Sequence, residues 1–302
     1  MKCELSVVNT SMLDNNARSE ILGLAKVCSA DDMNRGLRLR VSSLLDPSSE
    51  SASTSLAVLA IDVKDRVNGV ALVSLAGKSL PSCQLFVAPH ARRKGLGSHL
   101  LDRALRESGS GGLRVWNHGD CLDGRSFAKA KKLGLLQSLG LFVKEIDEHA
   151  PTVSSELQGE MRFEITTTNN LQADWKDVAI QAYRTASITL ELESRAWWSQ
   201  AWGIVVREPN GIDLAGVLIA RSVSYQLCPS IENHVMAVAP KWQGTSVSRV
   251  LLAGLTALAI ELGLSSAISY VELANHNAMR AHQNDGFSKL TMDSVYVFKG
   301  ES

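Results

Sequence analysis

Residues 82–101 read SCQLFVAPHARRKGLGSHLL, and residues 231–252 read IENHVMAVAPKWQGTSVSRVLL. Each stretch opens as an apolar, alternating run ending in Val-Ala-Pro, turns through a few polar residues and continues as an amphipathic helix. Pro89 and Pro240 lie 151 positions apart, and Arg92 and Gln243 keep the same offset. A strand pattern follows at 113–117 and at 267–272. Helices then end at Leu133-Gly134-Leu135 and Asp285-Gly286-Phe287, where the glycines are 152 apart. A period near 150 in a chain of 302 residues reads as two homologous domains, not a solenoid.

Residues 147–160, DEHAPTVSSELQGE, are polar, carry a proline and show no period, so they read as a connection. The expected domains are therefore 1–147 and 161–302, joined by a linker at 148–160. The first reads as strand 2–9, helices 14–28 and 31–44, strands 56–63, 68–76 and 82–88, helix 94–108, strand 112–117, helix 124–134 and strand 139–146. The second repeats this as strand 161–168, helices 172–186 and 190–200, strands 202–208, 213–223 and 231–238, helix 244–262, strand 267–272, helix 275–285 and strand 290–299. That order predicts an α/β fold with helices on both faces of a mixed sheet.

Composition narrows the function classes. Hydrophobic residues are 45% and charged residues 21%, which excludes a disordered chain. Lys+Arg and Asp+Glu are both 31, so no bulk attraction to nucleic acid or an anionic membrane is expected. The first residues lack a signal-peptide pattern and no run of about 18 apolar residues occurs, so a cytoplasmic protein is expected. The five cysteines (Cys3, Cys28, Cys83, Cys121, Cys228) are scattered and form no CxxC pair, so reduced thiols and no metal site are expected.

Arg92-Arg93-Lys94-Gly95-Leu96-Gly97 lies between a predicted strand and helix. Glycines let a backbone approach a ligand closely, and a helix start offers unpaired N–H groups and a positive dipole end. With three basic side chains this makes an anion site. A glycine turn before a solvated basic helix is the plainer alternative.

The Arg92-x-x-Gly95-x-Gly97 loop after Val-Ala-Pro resembles the pyrophosphate loop of the GCN5-related N-acetyltransferase superfamily. Gln243-x-x-Ser246-x-Ser248 resembles it in part, with serines at both glycine positions. Across nearly the whole chain the similarity is to the mycothiol synthase family. Trp116-Asn117-His118-Gly119-Asp120 resembles that family's Trp-x-His-Gly-Asp segment. Tyr270-Val271-Glu272, Asn275 and Gly286-Phe287 resemble its Tyr-Val-Glu-x-x-Asn…Gly-Phe segment, and Arg195-Ala196-Trp197-Trp198 its Glu-Pro-Trp-Phe stretch. The resemblance implies two tandem acetyltransferase domains, each a mixed, mostly antiparallel twisted sheet flanked by helices. It also implies acetyl-CoA as cosubstrate and acetylation of the cysteinyl amine of cysteinyl-glucosaminyl-inositol, with chemistry in the C-terminal domain; a monomer is expected.

Carried over position by position, it implies a set of sites. In the first half Leu85, Phe86 and Val87 would receive the acetyl arm, and Arg93, Lys94, Gly95, Leu96, Gly97 and Ser98 the pyrophosphate. In the second half Met236, Ala237 and Val238 would receive the arm, and Gln243, Gly244, Thr245, Ser246, Val247, Ser248 and Arg249 the pyrophosphate. Asn275, His276, Asn277, Ala278, Met279 and Arg280, at the start of the last helix, would complete that cofactor site. Glu232, eight residues before Pro240, takes the place of the general base. His282 stands where the family has a tyrosine acid, Tyr270 where it has an acceptor-contacting tyrosine, and Arg221 where it has a lysine. The family's His-Pro-Glu-Gln segment is replaced by SITLE at 187–191. These departures keep two alternatives open: an acetyltransferase for another small amine, and a non-catalytic acetyl-CoA-binding protein. Two groups invite structural readings instead. His118 reads as a loop histidine, and Trp197, Trp198 and Trp202 as core or interface aromatics.

Overall fold

A computed structural model describes residues 3–31, 41, 44–45, 54–75, 80–147, 161, 163–184, 192–193, 197–208, 211–225 and 228–299. The linker at 148–160, most of the helix expected at 31–44, and residues 187–191 lie outside the described residues. The chain forms two compact units: residues 1–138 with 291–302, and residues 139–290.

The first unit holds strands β1 (Cys3–Asn9), β2 (Ser55–Asp62), β3 (Val67–Ser74), β4 (Ser82–Val87) and β5 (Gly112–Asn117). β1 to β4 pair antiparallel in sequence order, β4 and β5 pair parallel, and residues 294–299 add antiparallel to β5. Helix α1 (Asn15–Asp31) buries Ile21, Leu24, Ala25 and Cys28, one stripe at helical spacing. Asp14 starts it, its Oδ1 accepting from the Ala17 N–H at 2.7 Å. Helix α2 (Leu96–Glu107) buries Leu96, Leu100, Leu101 and Ala104 in the same way, and α3 (Leu122–Ala130) follows β5.

In the second unit, residues 139–145 of β6 (Gly134–Glu145) pair antiparallel with β11 (Ser266–Glu272). β11 runs parallel to β10 (Cys228–Val238). β9 (Leu214–Tyr225), β8 (Trp202–Arg207) and β7 (Phe163–Thr167) continue outward, antiparallel. Helix α4 (Asp174–Tyr183) packs Trp175 and Val178 with Val217, Ile219, Val235 and Ala237 on one face of this sheet. Helix α5 (Val247–Glu261) packs Leu251 and Leu255 with Ile204, Leu218 and Ile231 on the other. It lies close to the sheet because Gly254 has no side chain: a Cβ there would sit 2.6 Å from Ile204 Cγ2. Helix α6 (His276–Asn284) leads into β12 (Ser288–Lys299).

The units depart from the expected 1–147 and 161–302 in one respect. The last strand of each half completes the unit of the other half. β5 and β11 each offer an open ladder, and each final strand buries three consecutive residues near its middle. The repeat in the sequence cannot say which strand fills which edge. The helix expected at 190–200 is described only in part. A 3-10 turn, Trp198–Gln200, closes it, and Trp198 packs 5.3 Å from the Trp175 ring, as the core reading expects.

Candidate active site

In each unit two parallel neighbours begin together and then part. β4 and β5 pair only at Ser82, Cys83 and Gln84, and β10 and β11 only from Ser230 to Asn233. Beyond those points the backbone groups of Leu85–Val87 and Val235–Val238 that face the gap have no strand opposite. Open backbone donors beside an apolar wedge are a place for an extended ligand with amides and a carbonyl.

In the first unit the wedge is a cavity of about 340 Å³ lined by Leu85, Phe86, Val87, Arg93, Gly95 to Ser98, Trp116, Phe127 and Tyr296, among others. Gly95 caps α2 at φ 81°, and Arg93 holds the left-handed region at φ 62°. At Gly97 a Cβ would meet the Phe127 ring at 3.3 Å. Arg93 and Lys94 are exposed at the helix start, with Lys94 Nζ donating to the His90 carbonyl at 2.9 Å. Arg92 has a different duty. Its Nε donates to the Val87 carbonyl at 3.0 Å, and its Nη1 reaches Asp31 at 2.9 Å and Asp123 at 3.4 Å. It fastens the loop rather than offering charge.

Gln243 repeats this, its Nε2 donating to the Val238 carbonyl at 3.2 Å. Both side chains reach a carbonyl five residues upstream, and this explains why arginine and glutamine exchange at the position. The serines are also accommodated. Gly244 takes the left-handed conformation at φ 80°, while Ser246 sits at φ −73°, so the second loop needs no glycine at 246. Ser248 follows inside the first turn of α5, and Thr245, Ser246 and Arg249 are exposed.

Glu232 lies on β10 one residue before the parting point and is 6% exposed. Arg221, its partner on β9, donates from Nε at 2.7 Å and from Nη2 at 2.6 Å to Glu232 Oε2. Such a two-pronged contact orients a carboxylate. The Arg221 guanidinium also stacks on Trp197, 4.9 Å from its centroid. His234 Nδ1 lies 3.4 Å from Glu232 Oε1, and its ring meets Trp197 edge-on at 4.8 Å. The sequence reading did not single out His234. The pairing of β10 with β9 slips between Asn233 and Val235, so His234 is the extra residue of a bulge. Trp197 thus joins this cluster, and both Trp197 and Trp198 pack against the core of the unit.

On the opposite face Asn233, Ser269 and His282 meet. His282 Nδ1–H donates to the Ala278 carbonyl at 2.8 Å, and Nε2 accepts from Ser269 Oγ at 2.9 Å. The ring is 2% exposed, between Phe142 and Phe287, and burial pushes its pKa below the usual histidine value. The acid role that the resemblance implies for His282 would need the imidazolium, which desolvation disfavours here. The Asn233 Oδ1 atom beside it is buried with no partner. Tyr270, the next residue on β11, is half-buried. Asn275 caps α6, its Oδ1 accepting from the Ala278 N–H at 3.0 Å, while His276, Asn277 and Arg280 are exposed and Met279 half-buried.

His118 is held on both nitrogens, by Asp293 Oδ2 at 2.8 Å and by Gln84 Oε1 at 2.5 Å. Asp293 also accepts from the Gly119 N–H at 2.9 Å. This buried chain fits the structural reading of His118. Asp293, far off in sequence and polar in a strand pattern, gave no signal of its own.

A scan against models of protein families finds no match. Among curated proteins the chain is similar to the mycothiol acetyltransferase of Thermomonospora curvata, 30% identical over 224 residues, which cover 71% of this chain and 73% of that protein. The chain belongs to the mycothiol acetyltransferase family. The family's protein from Sanguibacter keddieii is 29% identical over 267 residues, covering 83% of this chain and 82% of that one. Two solved structures share the fold. A GCN5-related N-acetyltransferase from Sphaerobacter thermophilus superposes with TM-score 0.76 over 98% of this chain and 95% of that one, at 12% identity. A tandem protein of the same superfamily from the clavulanic acid biosynthesis pathway gives TM-score 0.72 over 100% of both chains, at 15% identity. As a member of this family the chain is an acyltransferase, built as tandem α/β domains of the acetyltransferase fold. No helix among the described residues is long and apolar enough to cross a membrane.

Proposed function

We propose that the chain moves an acetyl group from acetyl-CoA to the cysteinyl amine of cysteinyl-glucosaminyl-inositol, forming mycothiol, and that the second unit does so. The observation that carries this reading is the Glu232–Arg221 pair at the parting of β10 and β11. The first unit has no carboxylate at that place: eight residues before Pro89 stands Pro81, or Ser82 if the bulge is allowed for. The substrate class is supported by the names of the relatives.

The residues present fit acetyl-CoA. In the second unit the α5 start, from Gly244 to Arg249, would hold the pyrophosphate, and Met236 to Val238 would line the arm. In the first unit Arg93, Lys94 and the Gly95 to Ser98 turn would hold a second molecule. Acetyl-CoA supplies the activated acyl group. An α-amino group with pKa about 7.7–8.0 is partly neutral at pH 7, so the protein needs to remove only one proton. The Glu232 end of the site receives that positive charge, and Arg221 keeps the carboxylate in place. Backbone N–H groups of β10 beyond Asn233 polarise the carbonyl. Once the amine nitrogen has lost its proton, thiolate is by far the better leaving group, so His282 need not act as an acid.

The test is thiol release from acetyl-CoA with cysteinyl-glucosaminyl-inositol and with a panel of small amines. Turnover confined to the first supports the reading. Turnover only with other amines, or binding of acetyl-CoA without turnover, sinks it in favour of the alternatives.

A further inference from the structure

We infer that His234 accepts the proton of the attacking amine, with Glu232 as its positioning residue and Arg221 as the anchor of Glu232. This rests on acetyl transfer in the second unit. Glu232 by itself is a poor acceptor, since two short charge-assisted bonds from Arg221 occupy Oε2. An imidazole nitrogen turned to the gap is the better-placed proton acceptor.

His234 stands two residues beyond Glu232 on β10 and shares its face, as strand alternation dictates. Before the bulge, Ile231 packs toward α5 and Glu232 points the other way. After it, Val235 and Ala237 pack toward α4, and Met236 and Val238 toward α5. The bulge shifts the residues that follow it, so Val235 joins the Glu232 face beside His234, immediately past the last β10–β11 pair at Asn233 and Ser269.

Among the described residues the groups facing His234 are Glu232 from β10, Arg221 from β9 and Trp197 from the segment before β8. Nδ1–H donates to Glu232 Oε1, which fixes the tautomer and leaves Nε2 as the basic atom. Trp197 limits the ring's swing from the side. The step balances simply. The amine nitrogen bonds the acetyl carbon, the carbon–sulfur bond breaks with its electron pair going to sulfur, and the amine proton moves to His234 Nε2. The imidazolium beside Glu232 then gives its proton to water.

The experiment measures thiol release against pH for wild type, His234→Gln, His234→Asn and Glu232→Gln. Circular dichroism confirms the fold of each. Expected is a fall in kcat of about 10²-fold for both His234 variants, with KM for acetyl-CoA within twofold. The acidic limb of the wild-type profile should vanish in them, and added imidazole should restore part of the rate. A purely structural histidine would not respond to imidazole. Folded His234 variants with the wild-type kcat and acidic limb overturn the inference while leaving the acetyl-transfer reading intact. A wild type that releases no thiol with any amine overturns both.

Discussion

Replacing His282 by phenylalanine separates a catalytic from a structural histidine. The ring lies between Phe142 and Phe287, so an apolar ring is welcome there. What is lost is the acceptor for the buried Ser269 hydroxyl, now 2.9 Å from Nε2. One buried donor left without a partner costs about 1–3 kcal/mol. At roughly 2–4 °C per kcal/mol, the melting temperature should fall by several degrees. The cost should depend on pH in a definite sense. Burial lowers the folded-state pKa below the unfolded value of about 6.5, so the unfolded chain binds the extra proton first. The wild type therefore loses stability as pH drops below about 6.5, by at most about 1.4 kcal/mol per pH unit, until the folded pKa is reached. His282→Phe lacks this loss, so its deficit should shrink on acidification. Urea melts at pH 7.5 and 5.5 measure this, and kcat at pH 8 should stay within about threefold of wild type. A well-folded His282→Phe protein with kcat down by 10²-fold would refute the reasoning and restore the acid role.

Three further outcomes follow from the geometry. Gly95→Glu forces a side chain into φ 81° and sets a negative charge at the α2 start, so calorimetry on the full chain should lose one coenzyme A binding event; unchanged stoichiometry counts against the first-unit site. Glu232→Gln should lower kcat by about 10²-fold or more with acetyl-CoA affinity within twofold, and a wild-type rate from pH 6 to 9 removes Glu232 from the mechanism. Asp293→Asn weakens the contacts to His118 and the Gly119 N–H, and should cost about 1–3 kcal/mol in chemical denaturation; an unchanged midpoint would deny the buried chain its structural weight.

The sequence by itself determined what repeats locally. Val-Ala-Pro, the polar turn and the amphipathic helix are adjacent in the chain, and alternation and helical spacing fix their form. The α/β class and the paired loops at Arg92 and Gln243 were therefore legible, whereas Glu232 was singled out only by the family resemblance. Tertiary structure decided what depends on residues distant in sequence. Which final strand completes which unit follows from ladder pairing across more than a hundred residues. The cluster of His234, Glu232, Arg221 and Trp197 joins three separate segments, and no single strand shows it. The neutrality of His282 comes from Phe142, Ser269 and Phe287 closing around it, because a pKa is set by surroundings and not by residue type.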